Sequence, residues 1–254
     1  MSVDVNVNLG RWPFRRVPGD ESTAVLAARL RKRGVEQAWA AHFDGLLHTD
    51  LGAVNARLAE ECRAHPPFVP FGSVNPTLPD WQEDLRRCHE VHRMPGIRLH
   101  PNYQGYPLSS PLAEEVLAAA EKRRLIVQVA LSMEDERTQH PLVRAPQTDA
   151  APLQQLVARH PKLRLVVLNM NKALPPEMVK GLAAAGVCFD ISMVESATGV
   201  ARFASVAGIE RVLFGSHQPL YYWESASLKL KESGFSVEDA KKITFDNPRR
   251  VLSA

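Results

Sequence analysis

The sequence predicts an α/β fold, a single (β/α)8 TIM barrel in which residues 1–254 form one domain. Segments that favour strands alternate regularly with amphipathic segments that favour helices, and eight strand-like segments can be counted. No linker rich in Gly, Ser or Pro interrupts the alternation. The longest segments without periodicity follow the fourth and fifth strands, where a parallel barrel carries its active-site loops.

The first predicted strand alternates between polar and apolar side chains. Its polar members are Asp4, Asn6 and Asn8, and its apolar members are Val3, Val5 and Val7. Because side chains along a strand change face at every residue, we expect the polar three to share one face and the valines the other. Buried polar groups need partners, so this strand indicates a site at its end. An edge strand with a wet polar face is the alternative.

The remaining elements continue the alternation. Further strands are predicted at 35–43, 68–74, 96–100, 124–131, 163–170, 187–191 and 211–216. Helices are predicted at 23–33, 51–65, 80–92, 110–123, 148–160, 175–186 and 198–208. In the tail, Ser236 is the expected N-cap that accepts from the backbone amide of Asp239, and that helix should stop before Pro248.

Composition and motifs exclude several functional classes. Lys and Arg number 31 against 28 Asp and Glu, a balance too even for a protein whose main partner is nucleic acid. The three cysteines show no CxxC spacing, no segment is long and apolar enough to span a membrane, and no secretory leader is evident. We therefore expect a cytoplasmic protein with a small anionic partner, and leave a homo-oligomer open. Dinucleotide, P-loop, serine-hydrolase and HExxH motifs are absent.

Five segments together resemble the amidohydrolase-2 branch of the metal-dependent hydrolases. They are VDVNVNLGRWPFRR, GIRLHPNYQGY, LSMEDERTQHP, VLFGSHQP and FDNPRRVL. The resemblance spans nearly the whole chain and implies an eight-stranded barrel with hydrolysis or decarboxylation chemistry at its mouth. It also implies metal ligands: an HxH pair on the first strand, a histidine after each of strands five and six, and an aspartate after strand eight.

This chain departs from that pattern at every ligand position. Asn6 and Asn8 stand where the family has the HxH pair, and Asn169 stands where it has the histidine after strand six. The fifth strand and its end offer Gln128, Ala130 and Ser132, and His217 replaces the aspartate. Amides are poorer zinc ligands than imidazoles, so we expect no metal ligands and no tightly held cofactor, with zinc as the alternative.

The surviving polar residues still predict a site. We assign catalytic roles to His217 and His100, and substrate binding to Asn6, Asn8, Arg98, Gln128, Ser132 and Asn169. Arg98 would grip a carboxylate with two donors, or else form an internal ion pair with Asp4 or Asp190. His217 would act as a general base, or else donate to a neighbouring carbonyl.

Two functions follow from this site. The first is an amidohydrolase-related hydrolase that opens a lactone or cleaves an amide of a small anionic substrate without a tightly bound metal. The second is a catalytically inactive binding or sensor protein of the same fold. A carboxylate at the mouth that could act as acid or base would discriminate them, and Asp4 and Asp190 are the strand-borne candidates.

Overall fold

The computed structural model describes residues 1–17, 22–196 and 198–254, and its central feature is a barrel of eight parallel strands. Each strand pairs with the next one along the chain. The strands are β1 (Ser2–Leu9), β2 (Val35–His42), β3 (Phe68–Ser73), β4 (Gly96–Leu99), β5 (Ile126–Ala130), β6 (Arg164–Leu168), β7 (Cys188–Asp190) and β8 (Val212–Leu213). The predicted TIM barrel is confirmed.

Helices follow the strands and cover the outside of the barrel. They are α1 (Thr23–Lys32), α2 (Leu51–Ala64), α3 (Trp81–Arg86), α4 (Pro101–Gln104), α5 (Pro111–Lys122), α6 (Leu153–Arg159), α7 (Pro176–Ala184), α8 (Gly199–Ala207), α9 (Trp223–Glu232), α10 (Val237–Lys241) and α11 (Asn247–Ser253). Hydroxyl and carboxylate N-caps begin several of them: Ser22, Asp50, Ser110 and Ser236 each accept from a backbone amide three residues later. No helix in the described part of the chain could cross a membrane.

The barrel closes between β1 and residues 214–218. Three backbone hydrogen bonds form this seam: Val5 N to Phe214 O at 2.9 Å, His217 N to Asn6 O at 2.8 Å, and Asn8 N to Gln218 O at 2.8 Å. Because β8 itself is only two residues long, the chain beyond it completes the wall. The seam therefore fixes His217 directly beside the first strand.

A bulge interrupts β1. Asp4 pairs with Ala38 and Val7 with Ala40, so three residues of β1 oppose two of β2. Val3 and Val5 pack in a cluster with Trp39, whereas Val7 belongs to a different cluster. The expectation that the three valines share one face was wrong, because an extra residue reverses the alternation from that point on.

The two apolar clusters lie on opposite sides of the strands. One contains strand residues and the buried faces of the outer helices. The other lies on the inner side of the strands, and it extends past their carboxyl ends to Trp12, Phe43 and Met133. Its strand members include Trp39, Phe71, Ile126, Val166 and Leu213, and we call these strand members the apolar floor. Trp39 and Phe71 stack there with ring centroids 4.9 Å apart.

The C-terminal tail differs from its prediction in one respect. Ser236 Oγ does accept from Asp239 N, at 3.0 Å. The helical backbone does not stop before Pro248, however, because a π-helical turn over Lys242–Asp246 leads into α11, with Pro248 in its first turn. Proline is tolerated there because the first amides of a helix lack intrahelical acceptors. The tail then places Val251 against the apolar floor.

Candidate functional site

Polar side chains occupy the barrel interior above the apolar floor, toward the carboxyl ends of the strands. We call this group the polar plug: Asn6, Asn8, Arg98, Gln128, Asn169, Asp190, Ser192 and His217. No member exposes more than 2% of its surface. Apart from Asp190 and Ser192, all were assigned to the site from the sequence. The structure brings them into two hydrogen-bonded networks, one on each side of β1.

The first network centres on the side-chain amide of Asn6. Its Nδ2 donates to Asn169 Oδ1 at 2.7 Å and to Asp190 Oδ2 at 2.8 Å. Ser192 Oγ donates to the same Asn169 oxygen at 2.9 Å, and Asn169 Nδ2 donates to Ser132 O at 2.8 Å. Asn169 adopts a left-handed backbone with φ of 59°. These hydrogen bonds connect β1 with the carboxyl ends of β5, β6 and β7.

Asp190 accepts hydrogen bonds from two residues of this network, Asn6 and Asn169. Its second carboxylate oxygen, Oδ1, accepts from the backbone amide of Asn169 at 2.9 Å. Burial raises the pKa of Asp190, while hydrogen bonds from Ser192 and Asn6 act in the opposite direction. The carboxylate is thus fully occupied by donors from the protein itself.

The second network centres on Arg98. Its Nε donates to Gln128 Oε1 at 2.8 Å, and its Nη1 donates to Asn8 Oδ1 at 2.9 Å and to Val7 O at 3.2 Å. Its Nη2 donates to Trp39 O at 3.2 Å. These acceptors are neutral oxygens. The guanidinium therefore neither faces an open pocket nor forms a direct ion pair with Asp4 or Asp190, and burial lowers its pKa to about 9.

Both ring nitrogens of His217 have partners. Nε2 lies 2.7 Å from Met133 O, and Nδ1 lies 3.3 Å from Asn8 Nδ2. A carbonyl can only accept and an amide nitrogen can only donate, so we assign the neutral tautomer with its proton on Nε2. Burial lowers the pKa of His217 to about 3. This geometry matches the alternative in which the histidine donates to a neighbouring carbonyl.

His100 follows β4 as the residue that precedes α4, and it is 1% exposed. Its Nδ1 atom has no hydrogen-bond partner among the described residues. Burial, together with the positive charge of Arg98, lowers its pKa to about 3. Of the two histidines assigned to catalysis, this one keeps a ring nitrogen, Nδ1, without a partner among the described residues.

Asp4 lies beside the plug on the seam. Its Oδ1 accepts from the backbone amides of Ser216 at 3.0 Å and Asn6 at 3.1 Å, while Oδ2 has no partner among the described residues. Burial raises its pKa to about 7, and the nearby charge of Asp190 adds to that effect. Asp4 is therefore a buried carboxyl group with a pKa near neutral pH.

Sequence reasoning missed two features of this region. Ser192 was not assigned, although it lies two residues beyond Asp190 and β-strand alternation would have placed it on the same face. Glu134 was not assigned to the site either, yet only 2% of it is exposed, and it binds Arg15 at 3.0 Å. No local pattern could have indicated that second contact, because the two residues are far apart in the chain.

Ser132 contributes through its backbone and less through its side chain. Its carbonyl accepts from Asn169, as described above, while its hydroxyl donates to Glu134 O at 3.0 Å. That hydroxyl turns the chain at the end of β5. In the structure, this hydroxyl shapes the loop that carries Met133 O.

The donor set does not fit the metal that the family resemblance implies. No group of three or more His, Cys, Asp or Glu residues in the described part of the chain is arranged to hold an ion. At the plug, Asn6 and Asn8 turn amide nitrogens, which cannot act as ligands, toward Asp190 and His217. The Nε2 of His217 is directed at a carbonyl. A transition-metal site needs three or four converging donors. Here the side-chain oxygens of Asn8 and Asn169 accept from other side chains, and Asn6 Oδ1 is the one amide oxygen of the three without a partner.

A cavity opens beside the plug at the carboxyl ends of β6 and β7. Its volume is about 370 Å³, and its lining is mostly apolar. The apolar lining includes Met170, Leu174, Met193, Val194 and Phe203, and the polar lining includes Glu195, Ser196 and Arg202. Met170 and Met193 directly follow Asn169 and Ser192 of the plug. This size and composition suit a small organic ligand.

Comparisons with known proteins agree with the fold. The amidohydrolase family model matches residues 4–253. No curated protein matches the sequence. One similar solved structure is 2,6-dihydroxybenzoate decarboxylase complexed with 2,6-dihydroxybenzoate, with a TM-score of 0.76 and 17% identity over 100% of this chain and 99% of that chain. A second is dihydroxybenzoic acid decarboxylase from Polaromonas sp. JS666 with bound manganese and 2-nitroresorcinol, with a TM-score of 0.73 and 13% identity over 99% of this chain and 96% of that chain. A third is 4-oxalomesaconate hydratase from Rhodopseudomonas palustris, with a TM-score of 0.72 and 14% identity over 100% of this chain and 96% of that chain.

Proposed function

The chain belongs to the amidohydrolase family, and from that premise we propose that it binds a small organic acid at the carboxyl face of the barrel without metal-dependent turnover. One observation carries the proposal: the polar groups at the positions of the family's metal ligands are closed to solvent, and most of their hydrogen bonds are made to one another or to the backbone. Among these groups Asn6 Oδ1 is left without a partner, and one free amide oxygen is too few to hold a transition metal. The fold is kept, and the catalytic centre is replaced by a plug.

The histidines support the same conclusion. A general base is most effective when its pKa is near the working pH. Burial holds the pKa of both His100 and His217 at about 3. The Nδ1 of His217 already accepts from Asn8, so accepting a proton there would break a bond inside the plug. Either histidine would therefore be a weak general base at neutral pH for the deprotonation of an attacking water.

The cavity beside the plug is the proposed binding site. Methionine side chains adapt to aromatic rings and make favourable sulfur contacts with them, and Met170 and Met193 both line the cavity. Arg202 lies at its polar part, where Nη2 donates to Ser196 Oγ at 2.6 Å, and its guanidinium provides charge complementarity for a carboxylate. The named decarboxylase relatives bind dihydroxybenzoates or nitroresorcinol, so a small aromatic acid is the class of ligand to test first.

A metal-free hydrolase acting on a lactone or amide is the second candidate, and Asp4 is the observation that favours it. A carboxyl group with a pKa of about 7 and an unpartnered oxygen has the proton affinity of an acid–base catalyst. Its complete burial requires that the seam open before substrate could reach it. Asp4→Asn would abolish turnover by this route and leave acid binding in the cavity intact.

The test combines binding, turnover and metal content. Purified protein is dialysed against a chelator, analysed for zinc, manganese and iron, and titrated calorimetrically with 2,6-dihydroxybenzoate. The same preparation is incubated with that acid, an aromatic lactone and an aromatic amide, with and without added manganese. We expect binding that survives chelation, far less than one metal per chain, and no product.

A matched pair of variants locates the site. Leu174→Glu places a negative charge in the cavity and should weaken acid binding by about tenfold or more. Leu228→Glu makes the same change at a side chain that is 53% exposed on α9, and it should leave binding unchanged. Stoichiometric metal that resists chelation, or manganese-dependent product formation, would overturn the proposal. If Leu174→Glu and Leu228→Glu change the affinity equally, the acid binds outside this cavity.

A further inference from the structure

The face of the barrel opposite the plug carries a second cavity, which the proposed function does not use. It lies where α5 ends and where β5 and β6 begin, and its volume is about 520 Å³. Its lining consists of Ala118, Glu121, Lys122, Arg124, Lys162, Arg164 and Ala254. We propose that this cavity binds a small molecule that carries a phosphate or comparable dianionic group.

Charge is the first argument. Four lining side chains are cationic and Glu121 is the acidic one. The lining side chains thus carry a surplus of three positive charges. Among the residues that the structure describes, the side chains of Lys122, Arg124 and Lys162 make no ion pair or hydrogen bond. Unpaired like charges around one concavity focus a positive potential in it.

The acidic residue at the cavity forms no ion pair with these cations. Glu121 Oε1 accepts from the backbone amide of Lys162 at 2.8 Å, and its Oε2 lies 3.3 Å from His160 Nδ1. Both oxygens are thus engaged by groups other than the lysine and arginine heads. The carboxylate fixes the start of the β6 segment and leaves the cationic heads available.

Arg164 supplies a fixed donor in the cavity. Its Nη1 donates to Val251 O at 3.2 Å and to Leu252 O at 3.4 Å, and its Nη2 donates to the carbonyl of Arg124. These bonds hold the guanidinium in one orientation, and Nε makes no recorded bond. The guanidinium of Arg124 lies near enough for its charge to lower the pKa of Arg164, in addition to burial. A dianion between the two would relieve that repulsion.

The end of α5 does not oppose an anion strongly. Helix C-termini carry partial negative charge on unpaired carbonyls. Here Ala120 O accepts from the backbone amides of Arg123 and Leu125, at 3.1 Å and 3.0 Å, and Ala119 O accepts from Arg123 Nη1 at 3.1 Å. The volume is within the range of pockets that hold small metabolites. A phosphorylated small molecule therefore fits both the size and the charge of the cavity.

Inorganic pyrophosphate is the probe for the first experiment. It is titrated calorimetrically into the full chain at low and at high salt, beside citrate as a tricarboxylate and hexaglutamate as an acidic peptide. We expect pyrophosphate to bind more tightly than citrate, and the affinity to fall as salt rises. The double variant Arg124→Gln, Lys162→Gln should weaken pyrophosphate binding by about tenfold or more, because each removes a charge-assisted contact.

The matched control is the double variant Lys32→Gln, Lys231→Gln, which removes two exposed cations elsewhere and should change affinity by less than about twofold. Reductive methylation followed by mass spectrometry gives a local readout: pyrophosphate should protect Lys122 and Lys162 but not Lys32. The proposal is overturned if pyrophosphate does not bind at millimolar concentration. It is also overturned if both double variants weaken binding equally, or if hexaglutamate displaces pyrophosphate and binds more tightly.

Discussion

The two halves of the barrel interior are stabilised in different ways. The apolar floor consists of side chains such as Trp39, Phe71 and Ile126, which contribute in proportion to the area they bury, whichever apolar neighbours they meet. The polar plug above it is equally buried, but each of its groups needs one particular partner in one particular orientation. A floor residue can be exchanged for a similar one. A plug residue cannot be removed without leaving several buried groups unpaired.

This difference explains why the plug can persist in a barrel without an identifiable metal site. Removing metal-binding imidazoles from a barrel would leave buried polar positions that need new partners. Here the side-chain amides of Asn8 and Asn169 both donate and accept, and that of Asn6 donates. Together these residues connect Arg98 and Asp190 to the rest of the plug. The following experiments test the contrast between floor and plug, beginning with the largest expected effect.

Replacing Arg98 by Met should have the largest effect. It removes donors to Val7 O, Trp39 O, Asn8 Oδ1 and Gln128 Oε1 and leaves these buried acceptors unpaired. We expect a loss of about 3 to 5 kcal/mol in the free energy of unfolding, measured by urea denaturation. The exposed Arg63→Met should cost less than about 0.5 kcal/mol. A loss below about 1 kcal/mol for Arg98→Met would show that the plug is dispensable.

Asn169 offers a test that separates hydrogen bonding from backbone strain. Asn169→Ala removes three side-chain hydrogen-bond contacts and forces alanine into a φ of 59°, and should cost about 3 kcal/mol. Asn169→Gly removes the same contacts but tolerates that φ, and should cost about 1 kcal/mol less. Chemical denaturation of both variants provides the measurement. If glycine costs as much as alanine, the left-handed backbone makes no contribution.

His217 should make stability depend on pH. Its folded pKa of about 3 is below the unfolded value of 6.5, so its contribution is fully present above pH 6.5 and is lost progressively as pH falls toward 3. Between pH 7 and pH 5, wild-type protein should lose about 2 kcal/mol more than His217→Gln does. The comparison uses urea denaturation of both proteins at each pH. Parallel pH profiles would mean that this imidazole is not held in its neutral form.

Ile126→Val tests the floor and should have the smallest effect. It removes one methylene from a fully buried side chain and should cost about 1 kcal/mol, with no change in ligand binding on either face. A cost above about 3 kcal/mol would indicate that the floor is as intolerant of change as the plug. The contrast between the two halves would then disappear.

The fold and part of the site could be predicted because their signals are local. The alternation of strand and helix patterns predicted the eight strands, and strand ends predicted where Arg98, Asn169 and His217 would lie. The bulge in β1 could not be predicted, because it depends on how β1 pairs with β2 and β1's own polar alternation is regular. That bulge moves Val7 out of the face shared by Val3 and Val5.

The roles of the same residues depend on distant partners. Nothing in the residues around His217 indicates that Met133 O will occupy its Nε2, because that carbonyl lies 84 residues away in the chain. Ser192 and Glu134 were overlooked for a related reason, since their importance comes from contacts with Asn169 and Arg15. Sequence patterns indicate which groups reach the barrel mouth, and the long-range contacts decide which of them remain reactive.

The short seam that closes the barrel has a further consequence for local opening of the folded protein. Three backbone hydrogen bonds join β1 to residues 214–218, and two of them involve the backbones of Asn6 and Asn8. Amide hydrogen exchange should therefore begin along this seam before it begins between β4 and β5, where the ladder is continuous. A local opening there would admit water to Asp4 and His217 while the outer helices stay folded. The plug is closed in the folded structure, and local opening of this seam is the route by which we expect solvent to reach it.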